Sequence, residues 1–116
     1  DIEVNAILAN TEYKSDFQVL TPSNSISIDT ALGQKCTITL DREVQFGILT
    51  ANKNAAVLTI ETIQDATGGH TVTFFGDDFG QVDQEQVTTD AGAITVYVCT
   101  LGSDGKYRGT GKTFSA

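Results

Sequence analysis

Methionine and tryptophan are missing from the 116 residues, proline and histidine occur once each, and cysteine occurs twice. One histidine and two cysteines 63 positions apart offer no ligand pair at the local spacing of a zinc site. Two cysteines are also too few for a disulfide scaffold. Cys36 and Cys99 each stand inside an apolar run, so two reduced, buried thiols are expected, with a single bridge as the other arrangement. Basic residues are scarce: 7 Lys and Arg against 15 Asp and Glu leave a formal net charge of −8. Neutralising a nucleic-acid backbone takes clustered Lys and Arg, so nucleic acid is not an expected partner. No apolar run approaches the ~18 residues of a membrane-crossing helix, and no basic-then-apolar leader opens the chain, so no membrane partner is expected either.

What is present points to strands. Hydrophobic residues make up 40% of the chain, enough for one core and too much for a disordered tether. We expect a single β-domain over 1–116, with 1–20 as an N-terminal strand and arm that serves assembly or linkage. Ile, Val and Thr supply about three residues in ten, which favours pleated backbone. Apolar positions alternate at Ile2, Val4, Ala6 and Leu8, at Ile26 and Ile28, at Cys36, Ile38 and Leu40, and at Val44, Phe46 and Ile48. Turn-forming clusters separate these runs every 10 to 15 or so residues, the spacing of an antiparallel arrangement. The expected fold class is therefore all-β, an antiparallel β-sandwich or jelly-roll-like barrel with little or no helix; one short helical turn near 1–13 is the only helix the pattern admits. Two hairpins are signalled. One joins 57–64 to 70–75 through Asp65, Gly68 and Gly69; the other joins 94–101 to 106–113 through Asp104-Gly105, a dipeptide favoured in type I′ turns.

Two runs break the alternation. Val57, Leu58, Ile60 and Ile63 occupy both faces of one, and Ile94, Val96, Tyr97, Val98, Cys99 and Leu101 both faces of the other, which implies cover on two sides. Either other parts of the same subunit or a sister copy supplies that cover. Val57, Leu58, Ile60, Ile63, Tyr97, Cys99 and Leu101 are accordingly the candidate oligomer-interface residues.

Candidate chemistry is sparse. Gly109-Thr110-Gly111-Lys112-Thr113 looks like part of a phosphate-binding loop, but Lys106 stands where the motif needs its first glycine, and no helix can follow so near the end. It reads as a terminal strand of small residues. His70 is the sole imidazole and has no nucleophile-elbow pattern around any Ser or Cys, so it reads as a polar residue after a double-glycine turn. Asp77, Asp78, Asp83 and Glu85 form a carboxylate cluster permissive for calcium, yet without EF-hand spacing; a solvated acidic loop is the simpler reading. A glycosidase pair would depend on their separation in the fold. Among the aromatics near loops or ends, namely Tyr13, Phe79, Tyr107 and Phe114, the candidates for stacking on a glycan are Phe79 and Tyr107, with core packing as the alternative. No catalytic residue, cofactor or metal is expected.

Three segments carry a family resemblance: QDATGGHTVTF at 64–74, TTDAGAI at 88–94 and SDGKYRG at 103–109. In that order and spacing, after Ser27-Ile28-Asp29-Thr30-Ala31-Leu32-Gly33 and Glu43-Val44-Gln45-Phe46, the chain resembles structural proteins of tailed bacteriophages, especially tail-fibre and other virion appendage domains. It departs from them in having His70 where Arg is usual and no Trp beside Tyr107. The resemblance implies a non-enzymatic virion domain in a homotrimeric fibre, appendage or capsid decoration, associated with other virion proteins. It leaves open a lectin-like module recognising host surface glycans.

Overall fold

The computed structural model describes residues 17–49 and 55–114. The alternation from Ile2 to Leu8, the helical turn expected near 1–13, and Tyr13 lie outside them. Wherever apolar residues alternate within the described range, a strand forms: β1 Phe17–Val19, β2 Ser25–Ile28, β3 Lys35–Leu40, β4 Val44–Ile48, β5 Val57–Gln64, β6 Val72–Phe74, β7 Phe79–Gln86, β8 Ile94–Leu101 and β9 Tyr107–Phe114. A single 3-10 turn at Thr30–Leu32 is the one helical element among the described residues. The all-β expectation holds.

The pairing is another matter. From β1 to β6 the chain alternates between two sheets, and each strand lies parallel to the strand two before it: β1, β3 and β5 in one sheet, β2, β4 and β6 in the other. This winding is β-solenoid-like, in place of the antiparallel sandwich or jelly-roll-like barrel that turn spacing suggested. Antiparallel pairing is confined to β5 with β8 and β8 with β9; β7 then closes the far edge, parallel to β9 and twice irregular in register. The larger sheet thus runs β1-β3-β5-β8-β9-β7 and the smaller β2-β4-β6.

In-register stacking places like on like. The inward ladder Cys36, Ile60, Tyr97 runs through the larger sheet, and Ile26, Phe46, Phe74 runs through the smaller. Between them lies a core of fully buried side chains that includes Ile28, Ile38, Leu40, Val44, Phe46, Leu58 and Ile60. Phe74 joins the two layers, its ring 5.9 Å from Phe46, 4.9 Å from Phe79 and 5.2 Å from Tyr97, with the last pair edge-on.

Of the two expected hairpins, one forms. β8 and β9 pair from Ile94 with Phe114 to Leu101 with Tyr107. Only Gly105 of the Asp104-Gly105 pair has positive φ, at 82°, so the turn is not type I′, which needs positive φ at both. It is a wider loop closed by Gly105 N–H to Gly102 O and Gly102 N–H to Lys106 O. The other hairpin is absent because β6 joins the opposite sheet. Consecutive left-handed glycines, Gly68 at φ 69° and Gly69 at φ 78°, turn the chain off the plane of β5 rather than back along it.

Candidate functional site

The corner after β5 concentrates the polar side chains that a sequence reader would first suspect of chemistry. Gln64 donates from Nε2 to His70 O at 2.7 Å and accepts from His70 N–H at Oε1, so its amide takes the place of a strand neighbour. Asp65 Oδ1 accepts from the N–H groups of Thr67 and Gly68, both at 3.0 Å, and lies 2.9 Å from His70 Nε2. The Gly68 amide, followed by the His70 ring, holds the Asp65 carboxyl below its ordinary range. Residues 88–94 dock on this corner: Gly69 N–H donates to Thr89 O, and Gly92 N–H to Gln64 O and Asp65 O. A β-carbon on Gly68 would stand 2.7 Å from Ala91 N and 2.8 Å from Thr89 O, so only glycine fits. Two of the three quoted segments therefore build one corner. The third builds the β8–β9 turn and buries Tyr107, whose hydroxyl donates to Ala55 O at 2.6 Å.

The glycine-rich tail is strand β9. Gly109 lies against the Val98–Cys99 backbone and Gly111 against the Tyr97 ring, so both glycines serve close packing and neither cradles an anion. The acidic cluster does not converge. Asp78 is buried and accepts from Ile48 N–H at 2.9 Å, whereas Asp83 accepts from Glu85 N–H. Among the described residues no three His, Cys, Asp or Glu side chains are placed to hold a metal ion. Both cysteines are free and buried; burial pushes the Cys36 thiol up to about 12 and the Cys99 thiol to about 11.

The candidate interface residues divide by parity. Leu58, Ile60, Tyr97 and Cys99 point inward and are core; Leu101 packs on the same core, half-buried. Val57 and Ile63 point outward. On the same outward face stand Ile94, Val96 and Val98, which the candidate set omitted: Ile63 pairs with Ile94, Val96 with Glu61 and Val98 with Thr59, and Val57 and Val98 are 40% and 46% exposed. With apolar residues on both faces of β5 and β8, the odd-even position along each strand was the signal for this division. Phe79 and Tyr107, the candidates for stacking on a glycan with core packing as the alternative, are 2% and 0% exposed; their rings lie 5.9 Å apart in the aromatic cluster, and neither has a face open to a ligand.

The outer face of the smaller sheet is of a different character. Ser25, Gln45 and Thr73 form one outward ladder; Ser27, Gly47 and Phe75 lie beside it. Phe75 is 44% exposed.

Residues 20–108 match the family described as "Putative phage tail fibre C-terminal domain". The chain belongs to this family. No curated protein and no solved structure matches it. The tail fibre domain is thus a structural component of the virion, located in a tail appendage and associated with other virion components. The three segments that carry the likeness are its corner, the loop docked on that corner, and its final turn.

Proposed function

We propose that this tail fibre domain is a non-enzymatic building unit that assembles as a homotrimer through the outer face of its larger sheet. The observation that carries the reading is the set of outward apolar side chains Val57, Ile63, Ile94, Val96 and Val98 on the two central strands of that sheet, interspersed with Thr59, Glu61 and Thr100. Apolar side chains exposed on central strands are suited to burial by a sister copy. Flanking cations are folded down over aromatic rings, Lys35 over Phe17 and Lys112 over Phe114, and the one carboxylate in the middle, Glu61, accepts from the Thr37 hydroxyl at 2.7 Å. The acidic excess of the chain disfavours non-specific clumping of the assembled fibre.

Sedimentation equilibrium of the full chain at micromolar concentration tests this. The expected mass is three times that of the 12.3 kDa chain, reverting to the monomer on Val98→Lys. A folded monomer at all concentrations would overturn the assembly reading. A second reading, contact with a host-surface glycan, is favoured by the exposed aromatic and the polar ladder on the opposite sheet.

A further inference from the structure

We propose that the outward face of β2, β4 and β6 is a saccharide-binding groove selective for neutral sugars. This rests on the second reading above and assigns it a place, a residue set and a ligand class.

The groove follows from strand parity. In a parallel, in-register sheet the outward side chains of neighbouring strands stand ~4.8 Å apart, about the width of a sugar ring. Here one such row is Ser25, Gln45 and Thr73, offering two hydroxyls and an amide, groups that both donate and accept. Sugar hydroxyls also do both, so this row is matched to them in a way that a row of charges is not. The adjoining row is Ser27, Gly47 and Phe75. Gly47 is buried, with Asp78 Oδ2 3.2 Å and Phe75 Cβ 3.7 Å from where its β-carbon would stand, so the absent side chain lets Asp78 and Phe75 pack down over β4 beside the polar row. The half-exposed Phe75 supplies the apolar face on which the C–H side of a sugar stacks. Asp78 fixes this arrangement by accepting from the Ile48 amide.

Volume and charge agree. The part of the groove next to Phe75 has a volume of about 310 Å³, and a second part of about 430 Å³, lined by Asn24, Glu43, Gln45 and Thr73, continues it through the shared Gln45. Both lie within the range of small-ligand sites. No Lys or Arg lines either part, whereas Glu43 and Asp78 do. Phosphorylated, sulfated or sialylated sugars would meet like charge there, so the ligand is neutral. Among the described residues the apolar side chains exposed on this side are Phe75 and, just past the end of β4, Leu49 at 41%; set among Ser25, Ser27, Gln45 and Thr73, they leave the face too polar to be buried by a sister copy.

A rival groove exists at 86–93 and 113–114, with Asp90, Gln86 and Phe114. There Phe114 lies under Lys112 on the outward side of β9, the face assigned to assembly.

Amide-resonance titration of the isotopically labelled full chain with methyl galactoside and N-acetylglucosamine, with sialic acid as the acidic comparator, tests the proposal. The neutral sugars are expected to shift residues 25–27, 45–47 and 73–75, and sialic acid to bind at least tenfold more weakly. Phe75→Ala and Gln45→Ala, both at surface positions, are expected to weaken binding about tenfold each while leaving core resonances in place. Shifts confined to 86–93 and 113–114, equal binding of sialic acid, or full binding by Phe75→Ala would overturn this site and leave a glycan-binding domain standing. No shift with any sugar would remove the site and the glycan reading together.

Discussion

Tyr97 on β8 and Gly111 on β9 face each other across the antiparallel pair, and the phenol ring lies where a β-carbon on Gly111 would stand. The ring needs that room because its hydroxyl reaches Gln84 Oε1 at 3.1 Å, over the edge strand β7, while its edge packs on Phe74. Gly111→Ala is therefore expected to destabilise the domain by about 1–3 kcal/mol through overpacking, measured as a lowered urea midpoint. Gly109→Ala should cost more, since its β-carbon would strike the Val98–Cys99 backbone rather than a movable side chain. If both variants unfolded like the parent, the glycines would have some purpose other than close packing.

Gln64 is nine-tenths buried and bonds both backbone groups of His70. Gln64→Ala leaves a donor and an acceptor without their partner, which is expected to cost about 2–4 kcal/mol at about 1–2 kcal/mol for each part-buried group. Gln64→Glu keeps the acceptor for His70 N–H but loses the donor to His70 O, so it should fall between parent and alanine in thermal midpoint above pH 6.

Strand positions were legible because burial leaves a period of two: Cys36, Ile38 and Leu40, then Val44, Phe46 and Ile48, are all inward and buried, as their alternation requires. Partner direction was not, since parallel and antiparallel strands share that period. Nor does a solenoid betray itself by a repeat here. Phe17 pairs with Lys35 and Lys35 with Thr59, while Val44 pairs with Val72, so successive coils differ in length and no fixed spacing recurs. Gly68 and Gly69 announced a positive-φ turn without saying whether the chain would return along its own sheet or cross to the other. The same ambiguity hid the Phe75 groove: Ser25, Gln45 and Phe75 become neighbours only when three strands far apart in sequence align in parallel.

Acid should loosen the domain in a defined window. The carboxyls of Asp65, Asp41 and Asp104 are all held below the ordinary 3.8, by the Gly68 amide and then His70, by Arg42, and by Arg108 respectively. A carboxyl depressed on folding stabilises the native state above its unfolded pKa, and the contribution disappears as pH falls through the folded value. The urea midpoint is thus expected to hold above about pH 4 and to decline below it. Asp65→Asn retains an acceptor oxygen but no charge, so it should lower the midpoint at neutral pH and show a shallower decline in acid.

The thiols of Cys36 and Cys99 are buried and raised to about 12 and about 11, so little thiolate exists at neutral pH and none is reachable. Alkylation at pH 7.5 is expected to proceed only through unfolding, with both cysteines labelled at one rate that rises with urea. Rapid labelling of either in the absence of urea would mean that its ladder opens locally.

Tyr107 separates a structural aromatic from a ligand platform. Its ring is fully buried against Phe79, and its hydroxyl is bonded to Ala55 O at 2.6 Å, across 52 positions of sequence. Tyr107→Phe removes that bond and leaves a buried carbonyl unpaired, which should cost about 1–3 kcal/mol with the ring still in place. Tyr107→Ala also removes the ring and should cost about 3–5 kcal/mol, a large fraction of the stability of a domain this size. Thermal melts followed by circular dichroism measure both. The order parent, phenylalanine, alanine is the signature of a packed ring with a buried bond; a tyrosine kept for stacking on a ligand would leave the melting temperature unmoved by either change.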